Sequence, residues 1–152
     1  MNPSRLWLMS SRAFRKGHIL QAKVLKLLNY LVFRCILPYE CELIGGVVLW
    51  HRGLGTVIHP AIKIGNNVQI AHAVTIAGSG KGQSEIGNDV IVAAHAVIIP
   101  KNRAPFRIGD RAVIGAGAVI VGDVPPDAVM IGNPARNVND LDASSPHLTP
   151  PI

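Results

Sequence analysis

The sequence predicts an all-β solenoid, a parallel β-helix preceded by a short helical segment, and three observations carry that prediction. From Ile64 the chain repeats every 22 residues: Ile64-Gly65-Asn66-Asn67 returns as Ile86-Gly87-Asn88-Asp89 and again as Ile108-Gly109-Asp110-Arg111. Inside each copy a bulky aliphatic recurs at six-residue steps, as Ile64, Ile70, Ile76, then Ile86, Val92, Ile98, then Ile108, Ile114, Ile120. The residue after each is usually small: Gly65, Ala71, Ala77, Gly87, Ala93, Gly109, Gly115. Six-residue spacing gives three short strands per coil. The aliphatics then stack inside, and the small residues let the chain turn each corner. The residues beyond three hexads fall at one corner twice, as 77–85 and 99–107.

The helical segment is expected over 1–40, the β-helix over 41–138, and a disordered tail over 139–152. Residues 4–36 read as two helices, with Gly17 between them and Pro38 as the stop. In the second, Leu20, Val24, Leu27, Leu28 and Leu31 follow helical spacing, with Lys23 and Lys26 off the stripe. Such a stripe has two uses. It can cap the open first coil and pack on a neighbouring subunit, or lie on an anionic membrane surface. In the first coil, His51-Arg52-Gly53-Leu54-Gly55 interrupts the hexads between Ile44 and Ile58, and no packing reason explains the interruption. It reads as a site.

At 152 residues one domain is expected, and aromatics at 5% suit a narrow aliphatic core. A solenoid this short is expected to hide a face in an oligomer. Of the net +6 charge, most belongs to residues 1–40, where Arg5, Arg12, Arg15, Lys16, Lys23, Lys26 and Arg34 face a single acid, Glu40. That segment lacks the interleaved aromatics and motifs of a nucleic-acid binder, so none is expected. Cys35 and Cys41 do not make a disulfide framework and are expected as buried thiols. No secretory signal and no run of ~20 apolar residues is visible, so a cytoplasmic protein is expected, with peripheral contact at the inner membrane face as the variant.

The stretches Leu49-Trp50-His51-Arg52-Gly53-Leu54-Gly55-Thr56-Val57-Ile58-His59-Pro60, Ala73-Val74-Thr75-Ile76-Ala77-Gly78, Val124-Pro125-Pro126-Asp127 and Gly132-Asn133-Pro134-Ala135-Arg136 resemble the hexapeptide-repeat acyltransferases. Within that family the chain is most similar to the serine acetyltransferase branch, in particular its short members in polysaccharide gene sets. The resemblance implies a left-handed β-helix, an exception to the usual right-handed crossover. It also implies a homotrimer with acetyl-CoA as co-substrate in grooves between subunits, and no metal. His51 takes the place of the family's general base, a role suited to a neutral imidazole. Gly78, Ala94, Ala112 and Ala116 match small positions that receive the pantetheine. Lys81, Arg136, Lys101 and Arg103 are candidates for its phosphates, and Trp50 and Arg52 for the acceptor. His59, His72 and His95 read as surface or subunit-contact residues. No close His pair of the kind needed for zinc between subunits is expected.

The departures from the family bear on the acceptor. Where the serine acetyltransferases pair the histidine with an Asp, this chain has Ile36; the acid before the histidine is Trp50; and the Arg-His pair after Gly78-Ser79-Gly80-Lys81 is missing. Glu40 or Glu42 is the candidate replacement for the Asp. A serine zwitterion would find few of the family's charged partners here. An O-acetyltransferase acting on a sugar or polysaccharide-precursor hydroxyl is therefore the leading expectation. A serine O-acetyltransferase with an altered pocket and a non-catalytic trimeric scaffold are the alternatives.

Overall fold

The computed structural model describes residues 2–141. Helix α1 (Pro3–Arg15) starts where the Asn2 side chain accepts the Ser4 N–H at 2.9 Å, with proline at the first helical position, where a missing donor costs nothing. Gly17, at φ 81°, makes the break. Helix α2 (Ile19–Phe33) ends because Arg34 turns left-handed, at φ 55°, so the stop comes before Pro38, which the sequence suggested for it.

Strands β1 (Glu42–Leu43), β2 (Val47–Leu49) and β3 (Val57–Ile58) make the first coil. Strands β4 (Ile62–Ile64), β5 (Val68–Ile70) and β6 (Thr75–Ile76) make the second. The third is β7 (Ser84–Ile86), β8 (Ile91–Val92) and β9 (Val97–Ile99), and the fourth β10 (Arg107–Ile108), β11 (Val113–Ile114) and β12 (Val119–Val121). Equivalent strands pair in parallel, giving three sheets in the orders β1-β4-β7-β10, β2-β5-β8-β11 and β3-β6-β9-β12. A hairpin of β13 (Val129–Gly132) and β14 (Ala135–Asn137) extends the middle sheet, β13 in parallel and β14 antiparallel, around the cis Asn133-Pro134 peptide. The chain ends its described part in a helical turn, α3 (Val138–Leu141), which takes in the first residues of the expected tail. The rest of that tail lies outside the described residues.

All nine framework aliphatics are at most 2% exposed. A second inward set lies two residues before each framework aliphatic: Ile62, Val68 and Val74, then Ser84, Val90 and Ala96, then Phe106, Ala112 and Ala118. Ala112 therefore belongs to the core. Its side chain faces the interior and offers no surface to the pantetheine suggested for it. Buried Ser84 is satisfied by accepting the Phe106 N–H at 3.1 Å. In the first coil the inward residue is Leu43, paired with Ile64, and not Ile44, which is half exposed.

The corner between the first and middle sheets carries a polar ladder. Asn88 Oδ1 accepts the Asn66 N–H at 2.9 Å, and Asp110 Oδ1 accepts the Asn88 N–H at 2.8 Å. The glycines beside the ladder make this approach possible. A Cβ on Gly65 would stand 2.6 Å from the Gly87 carbonyl oxygen and 2.7 Å from Asn88 Oδ1.

The open end of the first coil is covered by α1, not by the apolar stripe of α2. Trp7 is fully buried and donates its indole N–H to the Pro38 carbonyl at 2.7 Å, and the Ser11 hydroxyl donates to the Cys41 carbonyl at 2.9 Å. Helix α2 leans on α1 through buried Ala22, Asn29 and Phe33, with the Asn29 amide donating to the Pro3 carbonyl at 3.2 Å. Both cysteines are buried and free. Burial pushes the Cys35 thiol up to about 11 and the Cys41 thiol up to about 12.

Gly65→Ala should lower stability by about 1–3 kcal/mol, since backbone must move to admit the methyl; a denaturant titration measures it. The buried thiols make stability depend on alkali. They are protonated in both states below about pH 9, while at higher pH only the unfolded chain ionises them. Stability therefore declines from about pH 9 up toward pH 12, and the fall in melting temperature between about pH 8 and pH 10 should be smaller in Cys41→Ala than in the parent.

Candidate active site

The corner between the middle and third sheets gathers the candidate residues. Register fixes the start of it: Leu49 pairs with Ile70, so Trp50 and His51 lie over Ala71 and His72. The first coil then takes a longer path to β3 than the second coil takes to β6. Its backbone makes a tight turn over Trp50–Gly53 in which His51 (φ 51°, ψ 34°) and Arg52 (φ 59°, ψ 21°) are both left-handed. Two successive non-glycine residues in that region cost of order 1–3 kcal/mol each. Neighbouring backbone holds the turn: the Gly55 N–H donates to the Arg34 carbonyl at 3.1 Å, and the Ala73 N–H to the Leu54 carbonyl at 2.8 Å. His51 and Arg52 are exposed. Trp50, 39% exposed, is steadied by its indole N–H donating to Gln69 Oε1 at 3.2 Å.

His51 does not stand alone. Its ring meets that of His72 edge to face at 4.9 Å between centroids, and His72 meets His95 in the same way at 5.3 Å. His51, His72 and His95 thus form one column down the corner, a grouping within one chain that their sequence spacing did not suggest. His72 is register-equivalent to His51, and His95 lies one residue further on, in the left-handed conformation at φ 60°. His72 Nδ1 is buried and has no hydrogen-bond partner among the described residues. Among the described residues no group of three or more His, Cys, Asp or Glu is placed to hold a metal ion. His59 is different: its Nδ1 accepts the Ala61 N–H at 3.1 Å.

Neither candidate for the missing Asp reaches His51. Glu40 pairs with Lys26 at 3.9 Å. Glu42 lies on β1, in the sheet across the prism from this corner. Among the described residues the His51 ring has no hydrogen-bond partner; its neighbour is His72.

The other site residues suggested by the sequence divide between two corners. Ala94, half-buried, and Ala116, exposed, continue the position of His51 and His72 in the third and fourth coils, and form a path of small residues below the histidines. Gly78 and Lys81 lie in the loop between β6 and β7, and Lys101 and Arg103 in the loop between β9 and β10. Both loops are at the corner on the far side of the third sheet. A Cβ at Gly78 would collide with the His59 ring, so packing alone accounts for a glycine there. Arg136 is exposed on β14, at the end of the middle sheet.

No family model matches the chain, and no curated protein sequence does. Solved structures do match. The fold matches that of the hexapeptide-repeat acyltransferases built on a left-handed β-helix. Within that class the similar structures are serine acetyltransferases. That of Neisseria gonorrhoeae, in complex with serine, is 32% identical at a TM-score of 0.76, over 88% of this chain and 54% of its own. The soybean enzyme with serine is 30% identical at 0.76, over 89% and 55%. The Brucella abortus enzyme, 23% identical at 0.79, attests the fold alone. The chain spans about half the length of the structures it matches.

Removing His72 should change the surroundings of His51 and leave those of His59 alone. In a His72→Ala variant the His51 and His95 ring resonances should move in a histidine-detected NMR spectrum while those of His59 stay in place.

Proposed function

We propose that the protein is an acetyl-CoA-dependent O-acetyltransferase with His51 as the general base. The observation that carries this reading is His51 itself, exposed on a strained turn, its ring without a hydrogen-bond partner among the described residues, at the head of a path of small residues. The likeness to serine acetyltransferases supports it. In the reaction, His51 takes the proton of an acceptor hydroxyl as its oxygen attacks the thioester carbonyl. The imidazolium then returns that proton to the departing thiolate, so the acetyl group changes hands without an acyl-enzyme. With no carboxylate beside it among the described residues, His51 has the His72 ring as its steadying neighbour.

The two separated corners bear on assembly. In one protomer Ala94 and Ala116 are a sheet's width from Gly78 and Lys81, too far apart to share a thin pantetheine arm along one line. Two protomers side by side would bring one corner of each together. A homotrimer with the coenzyme between subunits is therefore part of the proposal, with Lys81 and Arg136 offered to its phosphates.

For the acceptor, the comparisons favour serine, since the similar structures are serine acetyltransferases. A sugar hydroxyl, which the sequence alone puts first, is the second reading. It rests on Trp50, a partly exposed aromatic face beside His51 that stands where the serine acetyltransferases have an acid, so that a serine zwitterion loses a charged partner there. We further propose that the enzyme works in the cytoplasm.

Incubating the protein with labelled acetyl-CoA and either serine or a panel of hexoses, followed by mass spectrometry, separates the readings. Acetylserine supports the first and acetylated sugar the second, while no transfer to either leaves the scaffold. Against whichever acceptor works, His51→Ala should lower turnover by about 10²–10⁴ with calorimetric coenzyme affinity nearly unchanged. His72→Ala should lower it by less. Full activity in His51→Ala would move the base elsewhere.

A further inference from the structure

Helix α2 turns four of the five residues of its apolar stripe away from the protein, while Leu28 is partly buried against the core. Leu20, Val24, Leu27 and Leu31 are 78%, 55%, 54% and 57% exposed. A contiguous stripe of this kind marks a surface that meets something other than water.

The charge around the stripe says what. The helical segment carries seven Lys/Arg and one acid, Glu40, and Lys26 already pairs with that acid. On helical geometry Lys23 borders the stripe on one side. On the other, exposed Arg12 and Lys16 of α1 line a groove shared with His18 and Gln21 at the start of α2. Among the described residues the apolar strip is thus edged by cations, and its helical segment carries no acid but Glu40. Leucines can enter the acyl boundary of a bilayer while ammonium and guanidinium groups stay among lipid phosphates. Two copies docked face to face would instead set Arg12, Lys16 and Lys23 of both chains together with no acid to pair them. The helix has 15 residues, and no helix among the described residues is long and apolar enough to cross a membrane, so it lies in the plane of the surface.

We propose that the outer face of α2, with the flanking cations of α1, docks the protein on an anionic bilayer. This stands independently of the proposed reaction, because it uses no residue of the His51 corner.

Sedimentation of the full-length protein with vesicles tests it, using phosphatidylcholine alone or mixed with phosphatidylglycerol. The protein should pellet with the mixed vesicles only, and less so as salt is raised. Leu20→Gln/Leu27→Gln should weaken binding more than about tenfold, since each leucine gives up its burial in lipid. Arg12→Gln/Lys16→Gln/Lys23→Gln should bind weakly and without the salt dependence. All these positions are exposed, so melting temperatures should not change. Absence of binding, equal binding to both vesicle types, or undiminished binding by the leucine variant overturns the proposal. So does a drop in particle mass by light scattering in the leucine variant, which would show that a second copy covers the face.

Discussion

Every coil of this solenoid must superpose on the next, and that single constraint governs the rest. The inward aliphatics can fill a prism one side chain wide only if Ile64 lies under Ile86 and Ile86 under Ile108, and the parallel pairing enforces that alignment. Side chains at the corners are stacked by the same rule, whether or not stacking suits them. At one corner the result is a ladder of Asn66, Asn88 and Asp110, in which the Asn88 and Asp110 side chains each accept a backbone N–H from the previous coil. At another it is three imidazoles in a column. A repeat that serves packing also multiplies chemistry.

The solenoid was legible in the sequence because its cause is periodic. Framework residues recur at constant spacing, and their burial follows with no exception among the nine. His51 was legible for the opposite reason, as an interruption that packing did not explain. The histidine column was not. Its members are 21 and 23 residues apart, straddling the repeat, because the first coil's short far corner, between Ile58 and Ile62, outweighs its longer near one and His95 sits one place along. Counting finds equivalent positions only while corners keep their length.

Ala112 and helix α2 show two further limits. A small residue suits a surface path for a ligand, but it equally suits the interior of a narrow prism, and the spacing of Ala112 placed it inside. A helical stripe reveals that a helix has an apolar side and leaves open which side the protein uses. Here Trp7 and Leu6 of α1 had already covered the first coil, so α2 kept its stripe for the outside.

The inter-coil hydrogen bonds also bear on how the chain reaches this shape. In the repeating coils a corner side chain meets its partner 22 residues on, as between Asn66 and Asn88 and between Asn88 and Asp110. Parallel strands ordinarily have to wait for distant segments to meet, which makes their folding slow. This chain closes a short loop of nearly constant size for each coil, and the entropic cost of closure hardly changes from one coil to the next. Assembly can therefore proceed as a zipper, and whichever coil forms first offers a finished template to its neighbours.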